Sequence, residues 1–219
     1  MKIVYGLVGA SGNGSEIMPL IIDNIKKKAK ASDDVNFFFI DSNPKKKELN
    51  SIRVVSEDDF FSFKADKSFF NISIADSKIR EVVANRFEQA GCIAFDVQAE
   101  NAHILHNCKI GRGSIMAPFS LLTSNITVGK FFHSNVYSSI AHDCIIGDFV
   151  TLAPGARVNG NIHVEDHAYI GSGAVIKQGT PEKPLVIGKG SVIGMGAVVT
   201  KDVKPNSTVI GNPARVMEK

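Results

Sequence analysis

The sequence predicts two domains of different architecture, an α/β domain with a small parallel, Rossmann-like sheet over residues 1–92 and an all-β solenoid over residues 93–219. The first observation is an aliphatic residue at every sixth position from Ile104 to Ile176, with Ser134 as the exception. The second is the alternation of strand and helix signals that precedes this run. A period of six fits neither an α-helix nor a single strand, but it fits short strands bent around a triangular core.

The first domain alternates between short apolar runs and helical spacing. Three segments are predicted as strands: Ile3–Val8, Val35–Ile40 and Ser68–Ile74. Two segments are predicted as helices: Ser15–Lys30, and a second helix that Asp76 or Ser77 caps and that runs to Ala90. This alternation predicts a parallel sheet with ligands at the carboxyl ends of its strands.

The second domain is built from the six-residue repeat. Its inward positions are Ile104, Ile110, Met116, Leu122, Val128, Ser134, Ile140, Ile146, Leu152, Val158, Val164, Ile170 and Ile176. The phase slips across Thr180–Pro184 and resumes at Ile187, Ile193 and Val199. Each side of the triangle contributes one inward aliphatic residue and each coil stacks on the last, so we expect no coil to be stable alone.

Composition limits the class of protein. The chain has 219 residues and a net charge of +3, which is too small to indicate nucleic-acid binding, and the lysines of Lys26–Lys30 and Lys45–Lys47 are interpreted as solvated surface. The odd set Cys92, Cys108 and Cys144 has no metal-like spacing and favours reduced thiols. No signal-peptide region or membrane-length apolar run is found, so we expect a cytoplasmic protein without membrane insertion and without a metal.

A glycine-rich turn lies between the first strand and the first helix. Its residues Ser11, Gly12, Asn13 and Gly14 allow a backbone to approach an anion at a helix N-terminus, although a merely tight turn remains an alternative. Asp41 follows the second strand, where a carboxylate often contacts a ribose or a base, and its alternative is a turn-forming role before Asn-Pro. A basic Arg80 would suit a phosphate at the same edge. These are the candidate substrate-binding residues of the first domain.

His142 is the candidate catalytic residue of the repeat domain. It follows the inward Ile140 by two positions, so its side chain is not expected in the core, and Asp143 comes directly after it. A carboxylate beside a histidine orients the imidazole and raises its basicity for proton abstraction. The alternative is a surface histidine at a corner, which is the interpretation given to the other five histidines.

The chain's ending points to a family. Ile193–Val203 and Ile210–Val216 resemble the characteristic ending of the hexapeptide-repeat acyltransferases, which are left-handed parallel β-helix enzymes that use acetyl-CoA. The Gly-Ala-Ser-Gly-Asn-Gly segment is similar to the first domain of the sugar acetyltransferase branch that contains the bacillosamine-pathway and sialic-acid enzymes. The resemblance implies a left-handed β-helix and covers essentially the whole chain.

The resemblance also implies roles for individual residues. His142 matches the family's catalytic base, with Asp143 where the branch has Glu, and Asn135 matches a substrate-contacting asparagine. Gly160 of the pair Gly160-Asn161 matches the backbone N–H donor to the thioester oxygen. Family members often carry histidine where this chain has Asn13 and Thr151. The candidate acetyl-CoA-binding residues are Gly160, Ser172, Met195, Gly196, Pro213 and Arg215.

The expected function is acetyl-CoA-dependent N-acetylation of a nucleotide-linked amino sugar of the 4-amino-4,6-dideoxyhexose type. We expect direct attack with His142 as the base, a homotrimer, and a place in surface-polysaccharide biosynthesis. The alternatives are a sialic acid O-acetyltransferase, a metal-dependent hydratase and a non-catalytic sugar-nucleotide binding module. The sequence leaves open whether the nucleotide is UDP, dTDP, GDP or CMP.

Overall fold

The computed structural model of the protein describes residues 1–28 and 30–217, which form two compact units, Met1–Val97 and Gln98–Lys219. The first unit extends beyond residue 92 because Ile93–Ala94 adds a strand to its sheet. The predicted first helix includes Ala29, which lies outside the described residues. No helix in the described ranges is both long and apolar enough to cross a membrane.

The described residues of the first unit form six strands and three helices. The strands are β1 Lys2–Val8, β2 Asp34–Ile40, β3 Glu48–Leu49, β4 Ile52–Val55, β5 Lys67–Ile72 and β6 Ile93–Ala94. The helices are α1 Gly12–Lys28, α2 Glu57–Phe61 and α3 Ser77–Gln89. The sheet order is β3-β4-β2-β1-β5-β6, and all pairs are parallel except β3 with β4. The predicted α/β architecture is confirmed, with a short β3–β4 hairpin and α2 in addition.

The centre of the first sheet is buried on both faces. Leu7 of β1 and Phe39 of β2 are completely inaccessible to solvent, as is Phe70 of β5. Such continuous apolar strands are typical of a parallel sheet covered on both sides. Because β1 pairs in parallel with both β2 and β5, the loops that follow these strands emerge along one edge of the sheet. That edge carries the predicted glycine-rich turn and Asp41.

The second unit is a parallel β-helix of short strands. In chain order they are β7 Val97–Gln98, β8 His103–His106, β9 Lys109–Ile110, β10 Ile115–Met116, β11 Leu121–Ser124, β12 Thr127–Val128, β13 His133–Ser134, β14 Ser139–Ile140, β15 Ile145–Ile146, β16 Thr151–Leu152, β17 Arg157–Val158, β18 Ile162–Val164, β19 Tyr169–Ile170, β20 Val175–Ile176, β21 Leu185–Ile187, β22 Val192–Ile193, β23 Val198–Val199, β24 Thr208–Ile210 and β25 Arg215–Val216. Every pairing among them for which the register is given is parallel, except that of β24 with the C-terminal β25.

These strands stack into three sheets that form the sides of the triangle. One contains β7, β10, β13, β16, β19, β22, β24 and β25; the second contains β8, β11, β14, β17, β20 and β23; the third contains β9, β12, β15, β18 and β21. Partners in the regular coils lie three hexapeptide repeats apart in the chain, as Ser139 pairs with Arg157, so each coil takes one repeat from each side. The predicted hexapeptide architecture is therefore confirmed.

Most inward positions are buried as the repeat predicts, whereas Ile104 and Ile110 at its start are half-buried. Ile140 and Leu152 are fully buried, and Ile146 is nearly so. The exception Ser134 is also buried, and its hydroxyl hydrogen-bonds the hydroxyl of Ser138 at 2.7 Å. A buried hydroxyl is tolerated only when it has such a partner, which explains why the aliphatic pattern can be interrupted here.

Candidate active site

His142 lies at a corner of the β-helix, between β14 and β15. Its side chain is 47% exposed, and its Nδ1 lies 2.7 Å from Oδ2 of Asp143. Asp143 has a left-handed backbone, with φ of 59°, a conformation that Asp tolerates better than most residues. The carboxylate of Asp143, although shorter than the Glu that the resemblance implied, reaches the imidazole.

The second carboxylate oxygen of Asp143 is held from the neighbouring coil. Asn125 donates from Nδ2 to Oδ1 of Asp143 at 3.0 Å, and Asn107 donates from Nδ2 to Oδ1 of Asn125 at 2.9 Å. The hydrogen bonds from His142 and then from Asn125 lower the pKa of Asp143 below its usual value. An ionised carboxylate only accepts hydrogen bonds, so in the neutral ring of His142 the proton is on Nδ1 and the lone pair is on Nε2.

Gly160 lies directly beneath the imidazole of His142. A Cβ atom on Gly160 would lie 2.5 Å from Cε1 and 2.6 Å from Nε2 of the ring, so glycine is required for this approach. The carbonyl of Gly160 accepts a hydrogen bond from Gly179 N–H at 3.0 Å, while its own N–H has no acceptor in the described part of the chain. A proton acceptor and a free amide donor thus meet at one corner.

The same corner continues into a basic cavity of about 600 Å³. Because β14 pairs with β17 and β17 with β20, His142, Gly160 and Gln178 occupy equivalent positions in successive coils. The cavity is lined by Lys177, Gln178, Gly179, Thr180, Lys183, Pro184, Leu185, Thr200, Lys201 and Asp202. Its three lysines suit an anionic ligand, and no local pattern in the sequence indicates that they converge.

Four other predicted site residues lie at a different corner. Asn135 follows β13, Ser172 follows β19, and Met195 and Gly196 follow β22, all strands of the first sheet of the triangle. Met195 is 82% exposed, whereas Asn135 is half-buried and donates from Nδ2 to the carbonyl of Leu152 at 2.9 Å. One full side of the triangle, the sheet of β14, separates them from His142. A single chain does not bring the predicted residues together.

The remaining two cofactor candidates lie in the C-terminal hairpin. Arg215 belongs to β25, which pairs antiparallel with β24, and the neighbouring Ala214 donates its N–H to the carbonyl of Val198 at 2.8 Å. The side chain of Pro213 is exposed and that of Arg215 extends into solvent, with Nη1 bonded to the carbonyl of Ala214. These residues close the β-helix and are not in the His142 corner.

In the first unit, the glycine-rich turn opens α1. Ser11 precedes the helix and its carbonyl accepts the N–H of Ser15, so the N–H groups of Gly12, Asn13 and Gly14 point out of the first turn. A Cβ on Gly14 would collide with the carbonyl oxygen of Gly9, whereas a Cβ on Gly12 would meet nothing within 4 Å. The result is an open, electropositive helix N-terminus of the kind that binds anions.

Asn13 and Ser73 tie this turn to the end of β5. Asn13 donates from Nδ2 to the carbonyl of Ser73 at 2.7 Å, and the Ser73 hydroxyl lies 3.1 Å from the carbonyl oxygens of both Val8 and Gly9. One N–H of the Asn13 amide thus holds the loop. Ser73 was not singled out from the sequence, because only the fold brings it beside the turn.

Asp41 has the turn-forming role considered for it, and it also lies beside a cavity. Its Oδ1 accepts the N–H of Asn43 at 2.9 Å, which is the turn-forming role. Asp41 also lines a cavity of about 400 Å³. The other lining residues are Ala10, Asn43, Lys45, Lys46, Leu49 and Val54. Lys45 and Lys46 are exposed, as interpreted from the sequence, and they line this cavity at the carboxyl edge of the sheet.

Arg80 differs from its expected position. It is 0% exposed, and its Nη1 donates to the carbonyls of Ile74 and Ala75 at 2.9 and 3.2 Å. Burial lowers its pKa to about 10, so the guanidinium stays charged at neutral pH. The amphipathic α3 turns Arg80 inward, where it supports the loop after β5, and it does not reach a phosphate in solution. Asp76 is the predicted N-cap of α3.

Cys92 and Cys144 are not built as nucleophiles. Burial raises the pKa of the Cys144 thiol to about 11 and also raises the pKa of Cys92, so both are protonated at neutral pH. Within residues 1–28 and 30–217, no group of three or more His, Cys, Asp or Glu side chains is placed to hold a metal ion.

Comparison with known proteins agrees with this architecture. The family model described as bacterial transferase hexapeptide (six repeats) matches residues 143–178. GDP-perosamine N-acetyltransferase of Escherichia coli O157:H7 is 44% identical over 216 residues, which are 99% of this chain and 97% of that protein.

Two solved structures are similar over nearly the whole chain. WeeI from Acinetobacter baumannii AYE is 52% identical, with a TM-score of 0.93 over 98% of this chain and 100% of that one. The acetyltransferase domain of PglB from Neisseria gonorrhoeae FA1090 in complex with acetyl coenzyme A has a TM-score of 0.84 at 21% identity, over 98% of each chain. This second likeness concerns the fold alone. The repeat and these relatives together show that the chain belongs to the hexapeptide-repeat family of acetyltransferases.

Proposed function

We propose that the protein transfers an acetyl group from acetyl-CoA to the amine of a GDP-linked 4-amino-4,6-dideoxy sugar such as GDP-perosamine. The observation that carries the proposal is the His142–Asp143 pair, with the imidazole packed against Gly160, whose N–H has no acceptor among the described residues. The acceptor class is supported by the 44% identical relative, which is a GDP-perosamine N-acetyltransferase.

The chemistry is a direct transfer. As the sugar amine attacks the thioester carbonyl, a C–N bond forms and Nε2 of His142 accepts the amine proton. Asp143 holds the ring in the tautomer that leaves Nε2 unprotonated and stabilises the imidazolium that results. The Gly160 N–H donates to the carbonyl oxygen as its charge develops. The C–S bond then breaks, and the CoA sulfur leaves and takes up a proton.

The nucleotide is proposed to bind the first unit. The open N-terminus of α1, with Ser11, Gly12 and Gly14, suits the diphosphate, and the cavity with Asp41, Lys45 and Lys46 suits the nucleoside. The turn hydrogen bond of Asp41 uses Oδ1 and not Oδ2. A carboxylate can accept hydrogen bonds from the two adjacent N–H donors of guanine, and uracil and thymine do not have two such adjacent donors. This choice agrees with a GDP-linked acceptor.

The phosphates of CoA are proposed to occupy the cavity with Lys177, Lys183 and Lys201. This cavity continues the corner that holds His142 and Gly160, so one extended ligand can follow the corner from the lysines to the imidazole. The ammonium groups would balance the charge of the phosphates. We expect added salt to raise the KM for acetyl-CoA steeply and so to slow thiol release, because salt screens this attraction.

A homotrimer is proposed because the predicted site is divided. His142 and Gly160 occupy one corner of the triangle, and Asn135, Ser172 and Met195 occupy another. At about 3.3 Å per residue, the strand side between the two corners keeps them roughly 15 Å apart. A second copy would place its Asn135 corner opposite the His142 corner of the first copy. In a closed ring, every His142 corner then faces the Asn135 corner of a neighbouring copy. We place the reaction in cytoplasmic synthesis of surface polysaccharide.

The test is acetyl transfer to a panel of acceptors: GDP-, UDP- and dTDP-linked 4-amino-4,6-dideoxy sugars, and free and CMP-linked sialic acid. We expect thiol release and one added acetyl group on the GDP-linked amino sugar only. His142→Ala is expected to lower kcat by about 10²–10⁴, with nearly unchanged affinity for CoA. Acetylation of sialic acid instead would reject the acceptor, and a fully active His142→Ala enzyme would reject the base.

A further inference from the structure

A row of polar side chains crosses three coils at the His142 corner. Asn107, Asn125 and Asp143 follow one another at intervals of three hexapeptide repeats, and each has a left-handed backbone, with φ of 53°, 57° and 59°. Because strand partners in successive coils are separated by the same interval, these residues stand directly above one another. Asn and Asp are the non-glycine residues that adopt this backbone most readily.

The backbone fixes the spacing of this row. Asp143 donates its N–H to the carbonyl of Ser124 at 3.0 Å, and Asn125 donates its N–H to the carbonyl of His106 at 3.1 Å. The corners of successive coils are therefore joined by main-chain hydrogen bonds that do not depend on the side chains. A change confined to the Asn125 side chain can leave the corner itself intact.

The hydrogen bonds in the row have only one consistent direction. The ionised carboxylate of Asp143 can only accept, so the NH₂ group of Asn125 must face it, at 3.0 Å. The oxygen of Asn125 then faces Asn107, whose NH₂ group donates to it at 2.9 Å. Every donor points toward Asp143, and the remaining donor to that carboxylate is Nδ1 of His142, at 2.7 Å.

We propose that Asn125 is a positioning residue that fixes the protonation tautomer of His142 through Asp143, and that Asn107 orients the Asn125 amide. A carboxylate that is bonded at one oxygen only can rotate about its Cβ–Cγ bond and move off the imidazole. Held at both oxygens, it presents Oδ2 to Nδ1 continuously and keeps the proton on that nitrogen. This inference rests on the proposed function of His142 as the base.

The test uses Asn125→Gly in the whole chain, since glycine accepts the left-handed backbone and removes the side chain without touching the main-chain hydrogen bonds. The readout is the ¹⁵N shifts of the imidazole in the unliganded protein, assigned by loss of the signals in His142→Ala. We expect a protonated Nδ1 and an unprotonated Nε2 in the parent and a mixture of both tautomers in Asn125→Gly. The kcat is expected to fall about fivefold, the size of one net hydrogen bond, with an unchanged KM for acetyl-CoA.

Two further variants make the outcome decisive. Asn206→Gly replaces the same residue type with the same backbone, φ of 56°, elsewhere in the β-helix, and should change neither readout. Asn125→Asp keeps the side-chain shape but faces Asp143 with an acceptor, and should disturb the tautomer even if Asn125→Gly fails to fold. A single Nδ1–H tautomer that persists in these Asn125 variants would overturn the proposal. A shifted tautomer with unchanged kcat would support the positioning and reject His142 as the base.

Discussion

Gly160→Ala should disable the active site while leaving the fold in place. The new methyl carbon would lie 2.5 Å from Cε1, 2.6 Å from Nε2 and 3.0 Å from Nδ1 of His142, where ordinary contacts begin at 3.4 Å. The imidazole must therefore retreat by about 1 Å, and a misplacement of that size costs on the order of 10² in turnover. The movement also draws Nδ1 away from Asp143.

The same substitution should have little effect on stability. Gly160 is not among the glycines with positive φ, so alanine fits its backbone, and the ring it displaces is half-exposed and free to turn. The reduced entropy of the unfolded chain offsets part of the steric cost, so the free energy of unfolding should change by no more than about 1 kcal/mol. Thermal unfolding would measure this directly.

The assay is thiol release from acetyl-CoA with a saturating amino-sugar nucleotide, for Gly160→Ala, His142→Ala and the double variant. If Gly160→Ala acts only by moving the imidazole, the double variant is no slower than His142→Ala. Two slowdowns that multiply in the double variant would show that the methyl group harms something other than His142. A Gly160→Ala enzyme with the parent's kcat would refute the reasoning altogether.

Two other predictions follow from the same geometry. Gly14→Ala should lower the free energy of unfolding by about 2 kcal/mol or more and should abolish nucleotide binding, because the new Cβ meets the Gly9 carbonyl. The matched control is Gly12→Ala, whose Cβ meets nothing within 4 Å and which should leave the melting temperature unchanged. The lowered pKa of Asp143 means that its hydrogen bonds are present above the usual carboxyl value of 3.8 and are lost only as pH falls through the lowered pKa. The ¹³C shift of its carboxyl group should therefore titrate with a midpoint below 3.8, and a midpoint at or above 3.8 would contradict the two-point hold on this carboxylate.

The β-helix could be predicted well from the sequence because its core has a period that no other fold shares. Ile140 and Ile146 could be placed inward from spacing alone, and both are buried. His142 and Asp143 were identifiable because they are adjacent in the chain. In each case the information lies within one repeat, where local spacing and three-dimensional position correspond.

Residues that meet only through the fold were harder to find. Asn125 has the appearance of a turn residue, and its contact with Asp143 depends on the length of a whole coil, which no local pattern shows. Arg80 has the spacing of a surface residue, yet α3 packs it inward against backbone carbonyls. The short strand Glu48–Leu49 cannot show any periodicity, and it helps to define the cavity that Lys45 faces.

The irregular coil at residues 178–184 has a consequence for how this enzyme could diversify. Val175 of β20 pairs with Val198 of β23, and in the preceding coil Arg157 pairs with Val175. The stretch of chain between the first two partners is longer than the stretch between the second two. The added residues bulge out at the corner, while Ile176 and Ile187 keep their inward places. The length of the loop at this corner can thus change without repacking the interior. Selection could therefore reshape the lysine-lined cavity while the inward aliphatic residues stay unchanged.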